Sequence, residues 1–583
     1  MVVTQKKVWS SREVDEARCS ALSKEASCST QVAALLLSRG IDNGEEAQRF
    51  LHPRLIHLLD PEVLPEIDKA AERINKAIAE NESICVFGDY DVDGVTSTCL
   101  LLNFFKQVDK EVNYRLPDRF KGGYGLNCDV IRELGEEGVQ LLITVDNGSS
   151  SQKEIALAAE LGMDVVVCDH HQPSEDSPKP VAHINPWLSE DEGVFKDLAG
   201  VGVTYKLVWE LCRHFTRQKK LSEEFSNFMK ECLSLAALGT IADVVPLHGE
   251  NRILAKFGLQ KLTESRKPGI HKLVDAALKR AGSRDYLTSD DVGFSIGPKI
   301  NAAGRLSNAD YALRLLMAED NARADELIQL LDRENDKRKK IGTDIFEDVC
   351  SRIETDFDLD TEKVIVLGDE SWHPGVLGIV ASRIVEKYYR PAFLFSIEDG
   401  TAKGSARSIK GVDMCDALTE CGDLFERFGG HAMAAGGTLD EKNLGELRAA
   451  LNRVIDIEPS RMVPEIEFDC QLDLEDIDSS LLAEIARLEP FGAGNSEPIF
   501  ATMDLEIVGA PKLMGKDGRH ISFHVRKQQG KTALRAVAFF MGDRCEEISR
   551  GNPISLLYRP RINSWRGKSK IELHIKDIKV HEG

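Results

Sequence analysis

Three aspartates at alternate positions, Asp89, Asp91 and Asp93, follow a four-residue apolar run, Ile84-Cys85-Val86-Phe87. Such a run, ended by Gly88, reads as a fully buried strand. If the backbone stays extended, the three carboxylates point the same way, because side chains repeat every second residue. Like charges so close repel, and loss of solvent pushes their pKa values up. A divalent cation removes that cost, and hard oxygen ligands suit Mg²⁺ or Mn²⁺. Gly94 then permits a tight turn, and Val95 onward reads as a helix. The competing reading is a solvated acidic turn.

Two further apolar runs end in polar residues. Residues 141–145 run into Asp146-Asn147-Gly148, and residues 164–168 into Asp169-His170-His171. Helical patterns over 70–79, 96–105 and 149–161 alternate with these runs and with a strand over 112–116. Repeated strand–helix units predict a parallel sheet with helices on both faces, and ligands of such sheets sit beyond the carboxyl ends of the strands. Asp243 follows a helical stretch over 225–238, within Ile241-Ala242-Asp243-Val244-Val245. An acid among those apolar neighbours is buried or bound to something; an N-cap or a loop hydrogen bond is the alternative.

The rest of the chain must position these groups. Residues 1–69 read as a helical extension, 70–249 as the α/β unit just described, and 250–355 as a helical linker. The charged run 321–338 suggests a solvated helix face. Within the linker, Gly297 to Arg305 reads as a loop able to approach a ligand, with Asn301 inside it and Arg305 at its end. A second α/β unit spans 356–460. There, Ser405-Ala406-Arg407-Ser408 and Gly429-Gly430-His431 set small residues around a basic side chain, which suits an anion site or only a tight turn. Residues 461–583 are strand-rich and read as a small OB-like β-barrel whose Tyr558, Arg559, Arg561 and Trp565 are exposed to a single strand.

At 583 residues the chain exceeds one core, and two to four domains are expected. No apolar stretch is long enough to span a membrane and no apolar signal core is present, so a cytoplasmic location is expected. The 13 cysteines include no C-x-x-C pair, which argues against a zinc ribbon or a disulfide framework. The net charge of −22 argues against a protein coated in nucleic acid, but residues 501–583 hold 16 Lys and Arg against 9 Asp and Glu. A polyanion would be gripped locally.

Together, D-Y-D-V-D-G at 89, V-D-N-G at 145, D-H-H at 169 and A-D-V-V-P at 242 resemble the four motifs of the DHH phosphoesterase superfamily. N-A-A-G-R at 301, W-H-P-G-V at 372, S-A-R-S at 405, G-G-H-A-M-A-A-G at 429 and P-F-G-x-G-N at 490 resemble its RecJ exonuclease branch. The resemblance implies a DHH α/β domain and an α/β accessory domain joined by the linker, followed by the barrel. It implies hydrolysis of single-stranded DNA from a 5′ end to mononucleotides, in repair and recombination, at a two-metal Mn²⁺ or Mg²⁺ site. The implied ligands are Asp89, Asp91, Asp93, Asp146, His170 and Asp243, with Asp169, His171 and Arg305 as catalytic neighbours. Implied DNA contacts are Arg119, Tyr124, Asn301, His373, Ser405, Arg407, Ser408, Gly430, His431, Arg559 and Trp565. Arg407 and Arg119 would hold a 5′ phosphate. A monomer working with a single-strand-binding protein and a RecQ-type helicase, away from membranes, completes the expectation. The alternatives are a DHH phosphodiesterase for cyclic dinucleotides or short oligoribonucleotides, and a non-catalytic single-strand-binding scaffold.

Overall fold

The computed structural model describes residues 7–117, 125–173, 176–281, 284–549, 551–565 and 568–581. The chain opens with strand β1 (Val8–Ser11) and helices α1 (Glu16–Ala26), α2 (Thr30–Leu37) and α3 (Gly44–Leu51). Ser29 caps α2 by accepting from the Val32 amide, and the helix buries Val32 to Leu36.

The first α/β unit contains α4 (Ile67–Ala79), β2 (Ile84–Phe87), α5 (Val92–Gln107), β3 (Asn113–Arg115), α6 (Cys128–Glu136) and β4 (Leu141–Val145). It continues through α7 (Gln152–Glu160), β5 (Asp164–Cys168), β6 (Ala182–Ile184), α8 (Gly200–Thr216) and α9 (Glu223–Ala242). The strands form one parallel sheet in the order β3-β2-β4-β5-β6. Alternation along the strands decides which layer each side chain joins. Ile84, Val86, Leu141 and Ile143 pack with α4, α5 and α8, whereas Cys85, Phe87 and Leu142 pack with α6 and α7. Both faces are covered, as a parallel sheet requires.

Helices α10 (Gly249–Glu264), α11 (Pro268–Ala281), α12 (Ser289–Asp291), α13 (Gly297–Leu306), α14 (Asp310–Leu316) and α15 (Asn321–Asp356) follow, with a π-helical turn at Val292–Ile296 before α13. The segment Gly297 to Arg305 is therefore a helix and not the expected loop. Its small residues serve close packing: a Cβ on Gly304 would lie 2.6 Å from the Tyr90 carbonyl oxygen.

The second α/β unit comprises β7 (Ile365–Asp369), α16 (Leu377–Tyr388), β8 (Ala392–Glu398), β9 (Thr401–Arg407), α17 (Met414–Thr419), β10 (Arg427–His431), β11 (Ala434–Asp440) and α18 (Leu444–Val454). Its sheet order is β10-β11-β9-β8-β7, and only β7 and β8 are parallel. The Gly-rich segments near 404 and 429 lie in strands, not tight turns. Gly404 leaves room for Phe395, whose ring atoms lie 2.5 Å from where a Cβ would stand.

The last unit holds β12 (Glu465–Phe468), β13 (Cys470–Gln471), α19 (Ser479–Ala486), β14 (Phe500–Met514), β15 (His520–Lys527), β16 (Ala533–Ala538), β17 (Ile554–Trp565) and β18 (Lys568–Val580). Pairing of β14 with both β15 and β17 closes a five-stranded barrel through β16 and β18. Strand β12 pairs in parallel with β1, and α1 to α3 share one apolar core with the barrel. Tyr558, expected to be exposed, is fully buried in that core with its hydroxyl 2.8 Å from Thr502 Oγ1.

Candidate active site

The carboxyl ends of β2, β4 and β5 meet at one point. Helix α5 starts at Val92, so Asp93 lies in its first turn and the three aspartates do not share one extended strand. Asp91 caps the helix, its Oδ1 accepting from the Asp93 and Gly94 amides at 3.0 and 3.1 Å. Asp93 is buried and accepts from the Gly200 and Val201 amides at 2.7 and 2.8 Å, where α8 begins. Gly94 makes no left-handed turn. It allows close approach instead, since a Cβ there would lie 2.4 Å from the Asp89 amide nitrogen.

Asp146 sits just past β4 in a left-handed conformation, φ +61°, and is buried. A Cβ on Gly200 would come within 2.6 Å of its Oδ1. Asp243 follows α9 at the negative end of the helix dipole, where an acid gains nothing from capping. His170 joins these groups: its Nε2 lies 3.2 Å from Asp146 Oδ1, 3.7 Å from Asp243 Oδ2 and 3.8 Å from Asp93 Oδ2. Both His170 Nε2 and Asp146 Oδ1 are buried without a hydrogen-bond partner among the described residues. Leaving such atoms unsatisfied is costly. A cation among them removes that cost, so the donor set fits a metal centre. Ligand atoms of Asp89, Asp91 and Asp146 lie within 4.8 Å of one another, as do those of Asp93, His170 and Asp243. Asp146, His170 and His171 form a third such group, so Asp146 and His170 join neighbouring positions.

The electrostatics follow from this crowding. Burial, and then the neighbouring carboxylates, push Asp93 up to about 7 and Asp243 up to about 9, and hold Asp146 well above the usual range. Burial and the charge of His171 bring His170 down to about 4, leaving its imidazole neutral with a lone pair to donate. Asp169 faces away from the cluster and organises it. Its Oδ1 accepts from the His170 and His171 amides and lies 2.8 Å from His171 Nδ1, while Oδ2 accepts from the Ser149 amide. Burial opposes the charge on Asp169, but this pairing holds its carboxyl well below the usual range. Burial likewise opposes protonation of His171, and the same bond lifts it to about 9.

The opposite wall comes from α13 and the second α/β unit. Asn301 Oδ1 accepts from the Val92 amide at 3.0 Å, so it caps α5. Arg305 donates to the Gly375 carbonyl at 3.4 Å, and His373 Nδ1 accepts from the Gly375 amide at 3.1 Å. Arg407 donates to Ser405 Oγ at 3.1 Å and to the Ala406 carbonyl at 2.7 Å. A Cβ on Gly378, at the start of α16, would lie 2.8 Å from its Nη2. A planar cation, a hydroxyl and a helix N-terminus thus meet at one spot. Ser408 is buried, with its hydroxyl on the Val412 carbonyl. Gly430 and His431 are exposed on β10, beside a concavity of about 320 Å³ lined by Lys403, Arg427 and Phe428. Arg559 on the barrel pairs with Glu497 at 2.8 Å. Arg119, Tyr124 and the Trp565 side chain lie outside the described residues.

Sequence reasoning missed several participants. Gly200 is one. Asn185, at the end of β6, is another: it donates to the His171 carbonyl at 2.8 Å and to Ser149 Oγ at 2.9 Å. Its signal was the run Ala182-His183-Ile184 ending in a polar residue, hidden by its shortness. On the barrel, Phe540 is 74% exposed with φ +59°, and its amide donates to His520 Nδ1 at 2.9 Å. The His520 ring touches both Phe540 and Phe539, and Phe539 touches His574.

Three family models match the chain: the DHH family N-terminal domain over 83–240, the DHHA1 domain over 361–456 and the RecJ OB domain over 468–577. The single-stranded-DNA-specific exonuclease RecJ of Bacillus subtilis (strain 168) is 36% identical, covering 100% of this chain and 72% of that protein. The protein of the same description from Escherichia coli (strain K12) is 34% identical over 93% of this chain and 95% of its own length. The crystal structure of RecJ in complex with Mn²⁺ from Thermus thermophilus superposes with a TM-score of 0.82 at 30% identity, covering 99% of this chain and 80% of that one. A second RecJ crystal structure from that organism is a complex with Mg²⁺, with a TM-score of 0.77 at 28% identity, covering 99% of this chain and 79% of that one.

Proposed function

The chain belongs to the RecJ family of single-stranded-DNA-specific exonucleases, and on that premise we infer that it is a metal-dependent exonuclease of single-stranded DNA. The observation that carries the chemistry is the buried His170 Nε2 facing three carboxylates with no hydrogen bond to any of them. In our reading, Asp89, Asp91 and Asp146 hold one divalent cation, and Asp93, His170 and Asp243 hold a second beside it. Bound Mn²⁺ or Mg²⁺ supplies a water of lowered pKa for in-line attack on phosphorus and neutralises charge on the phosphate oxygens.

The chain's own groups do the rest. Asp169 fixes the D-H-H turn so that His170 presents its lone pair inward, and its bond to Nδ1 orients His171 at the rim. Arg305, on the wall opposite, offers a cation to the non-bridging oxygens. Arg407, Ser405 and the start of α16 hold a terminal 5′ phosphate, which sets the cut at one nucleotide from that end. The strand then leaves over the exposed β10 edge and the barrel, where Phe539 and Phe540 offer faces for bases to stack on.

The same reading gives 5′-to-3′ degradation to mononucleotides in repair and recombination, by a cytoplasmic monomer that acts with a single-strand-binding protein and a RecQ-type helicase. Among the described residues no helix is long and apolar enough to cross a membrane. The test is an oligonucleotide labelled at its 5′ end and incubated with and without Mn²⁺. Metal-dependent release of a labelled mononucleotide as first product is expected from a single strand and not from a blunt duplex. Cleavage of cyclic dinucleotides alone would favour a different phosphodiesterase, and binding without cleavage a scaffold.

A further inference from the structure

The P-F-G-x-G-N segment at 490 lies on no named strand, yet buried polar groups tie it down from two sides. Arg252 of α10 is 2% exposed, and its hydrogen bonds all run to backbone carbonyls. Its guanidinium donates to the carbonyls of Arg487, Leu488 and Glu489 at 3.0, 2.7 and 2.9 Å, and to that of Phe50 at 3.1 Å. Asn495, also buried, donates to the carbonyls of Leu488 and Pro490 at 2.8 and 2.9 Å and accepts from Arg39. The Arg252 guanidinium also stacks over the Phe50 ring, 3.9 Å from its centroid, but no carboxylate is hydrogen-bonded to it among the described residues, and burying a cation in that way is costly.

What the turn holds is the segment after Asp243. The Leu247 amide donates to the Ala493 carbonyl at 2.7 Å. Two glycines permit that approach: a Cβ on Gly492 would lie 2.6 Å from Leu247 Cδ1, and one on Gly494, φ +67°, 3.0 Å from Pro246 Cβ. Between these anchors and Asp243 stands Val244, a β-branched residue with φ +64° and 67% exposed. That conformation is strained, and its exposed side chain does not hold it. It persists because the chain is fixed on both sides: at Asp243, whose amide donates to the Gly239 carbonyl, and at Leu247.

We propose that Arg252 and Asn495, through the 487–495 turn, are positioning residues that keep Asp243 in its ligand geometry. The barrel unit thereby sets the geometry of the cation position shared by Asp93, His170 and Asp243. The proposal rests on the reading that Asp243 is a ligand. It assigns the buried polar groups of the turn to metal binding at a distance, with no contact to substrate.

Mn²⁺ titration by calorimetry, with electron paramagnetic resonance to read coupling between two bound ions, tests this in the full chain. Asp243→Ala, Gly494→Ala and Asn495→Ala are compared, with thermal melting to show that each is folded. Gly494→Ala presses chiefly on Pro246 and strains the turn at φ +67° without removing a hydrogen bond of Asn495, and it keeps the test open if Asn495→Ala does not fold. The expected result is that all three lose one of two Mn²⁺ ions, weakened about 10–100-fold, and the coupled signal with it. If Asp243→Ala shows that loss while folded Gly494→Ala binds both ions as the unaltered chain does, the positioning role is wrong and the ligand reading stands. If Asp243→Ala itself binds both ions normally, the ligand reading fails and the positioning role with it.

Discussion

Two five-stranded sheets flank the cleft, and they prepare for a phosphate backbone in opposite ways. The parallel sheet ends in Asp89 and Asp146, buried carboxylates that crowd Asp93 and repel one another, with His170 of the D-H-H turn beside them. The mixed sheet carries Arg407 at one end of β9 and Lys403, beside Arg427, toward the other, cations among glycines that suit an anion as they stand. The first site is therefore incomplete until a cation joins it, while the second needs nothing added. Chemistry and grip should be separable, because they draw on different sheets.

The sharpest way to break that separation is to remove a group from the parallel sheet. Asp146→Ala or His170→Ala should lower hydrolysis by at least about 1,000-fold, several kcal/mol of transition-state stabilisation. Affinity for a single strand, measured by fluorescence anisotropy, should stay within about twofold. A variant keeping more than about a tenth of the rate would remove that residue from the metal site. On the mixed sheet, Arg407→Ala should cut the preference for 5′-phosphate over 5′-hydroxyl ends by about 10–100-fold, the worth of a charge-assisted pair. Mn²⁺ affinity should not move. If the preference survives, the phosphate is held elsewhere.

A smaller effect is expected farther along the strand. Phe540→Ala should weaken binding of long oligonucleotides about fivefold and leave trinucleotides alone, since one stacked base is worth about 1 kcal/mol. Equal loss on both lengths would place Phe540 near the cut instead.

The smallest effect is on stability. Asp93 and Asp243 titrate higher in the folded chain, at about 7 and about 9, than in the unfolded one. Their neutral forms favour folding at low pH, and that contribution is lost as pH rises through the folded values. The melting temperature of the metal-free protein should thus fall by about 2–4 °C per kcal/mol lost between about pH 5 and 8. Saturating Mn²⁺ should reverse the trend, because ligand carboxylates are ionised when bound. A metal-free melting temperature that rises over this range would contradict the crowding of those acids.

Much of the Asp and His cluster was legible because three of its strands are short apolar runs followed at once by Asp or His, a pattern that survives without any knowledge of packing. What was not legible depends on partners distant in the chain. Gly200 matters only because Asp146 arrives beside it from another strand. Helix α13 looked like a loop because its two glycines and its proline weigh against a helix, although its alanines favour one; the backbone of Tyr90 pressed against Gly304 makes that glycine necessary. Tyr558 was expected to be exposed beside Arg559 and Arg561 in a basic, strand-rich segment, but a register shift between Leu557 and Tyr558 interrupts β17 there and both side chains are buried. Leu557 then packs beneath Trp9 and Ile466 of the β1–β12 ribbon. No local signal announces a cover that comes from the other end of the sequence.

That ribbon also bears on how the chain is made. Leu35 and Leu36 of α2 are buried against a core completed by Phe500, Tyr558 and Ile578. On a ribosome adding about 5–20 residues per second, those leucines emerge roughly 25–100 s before the strands that will cover them. The parallel sheet, whose core lies within residues that emerge in between, can close in that interval. Birth order and assembly order run opposite at this interface, so the earliest helices are the last to find shelter. They are the part of the nascent chain most in need of a chaperone's hold.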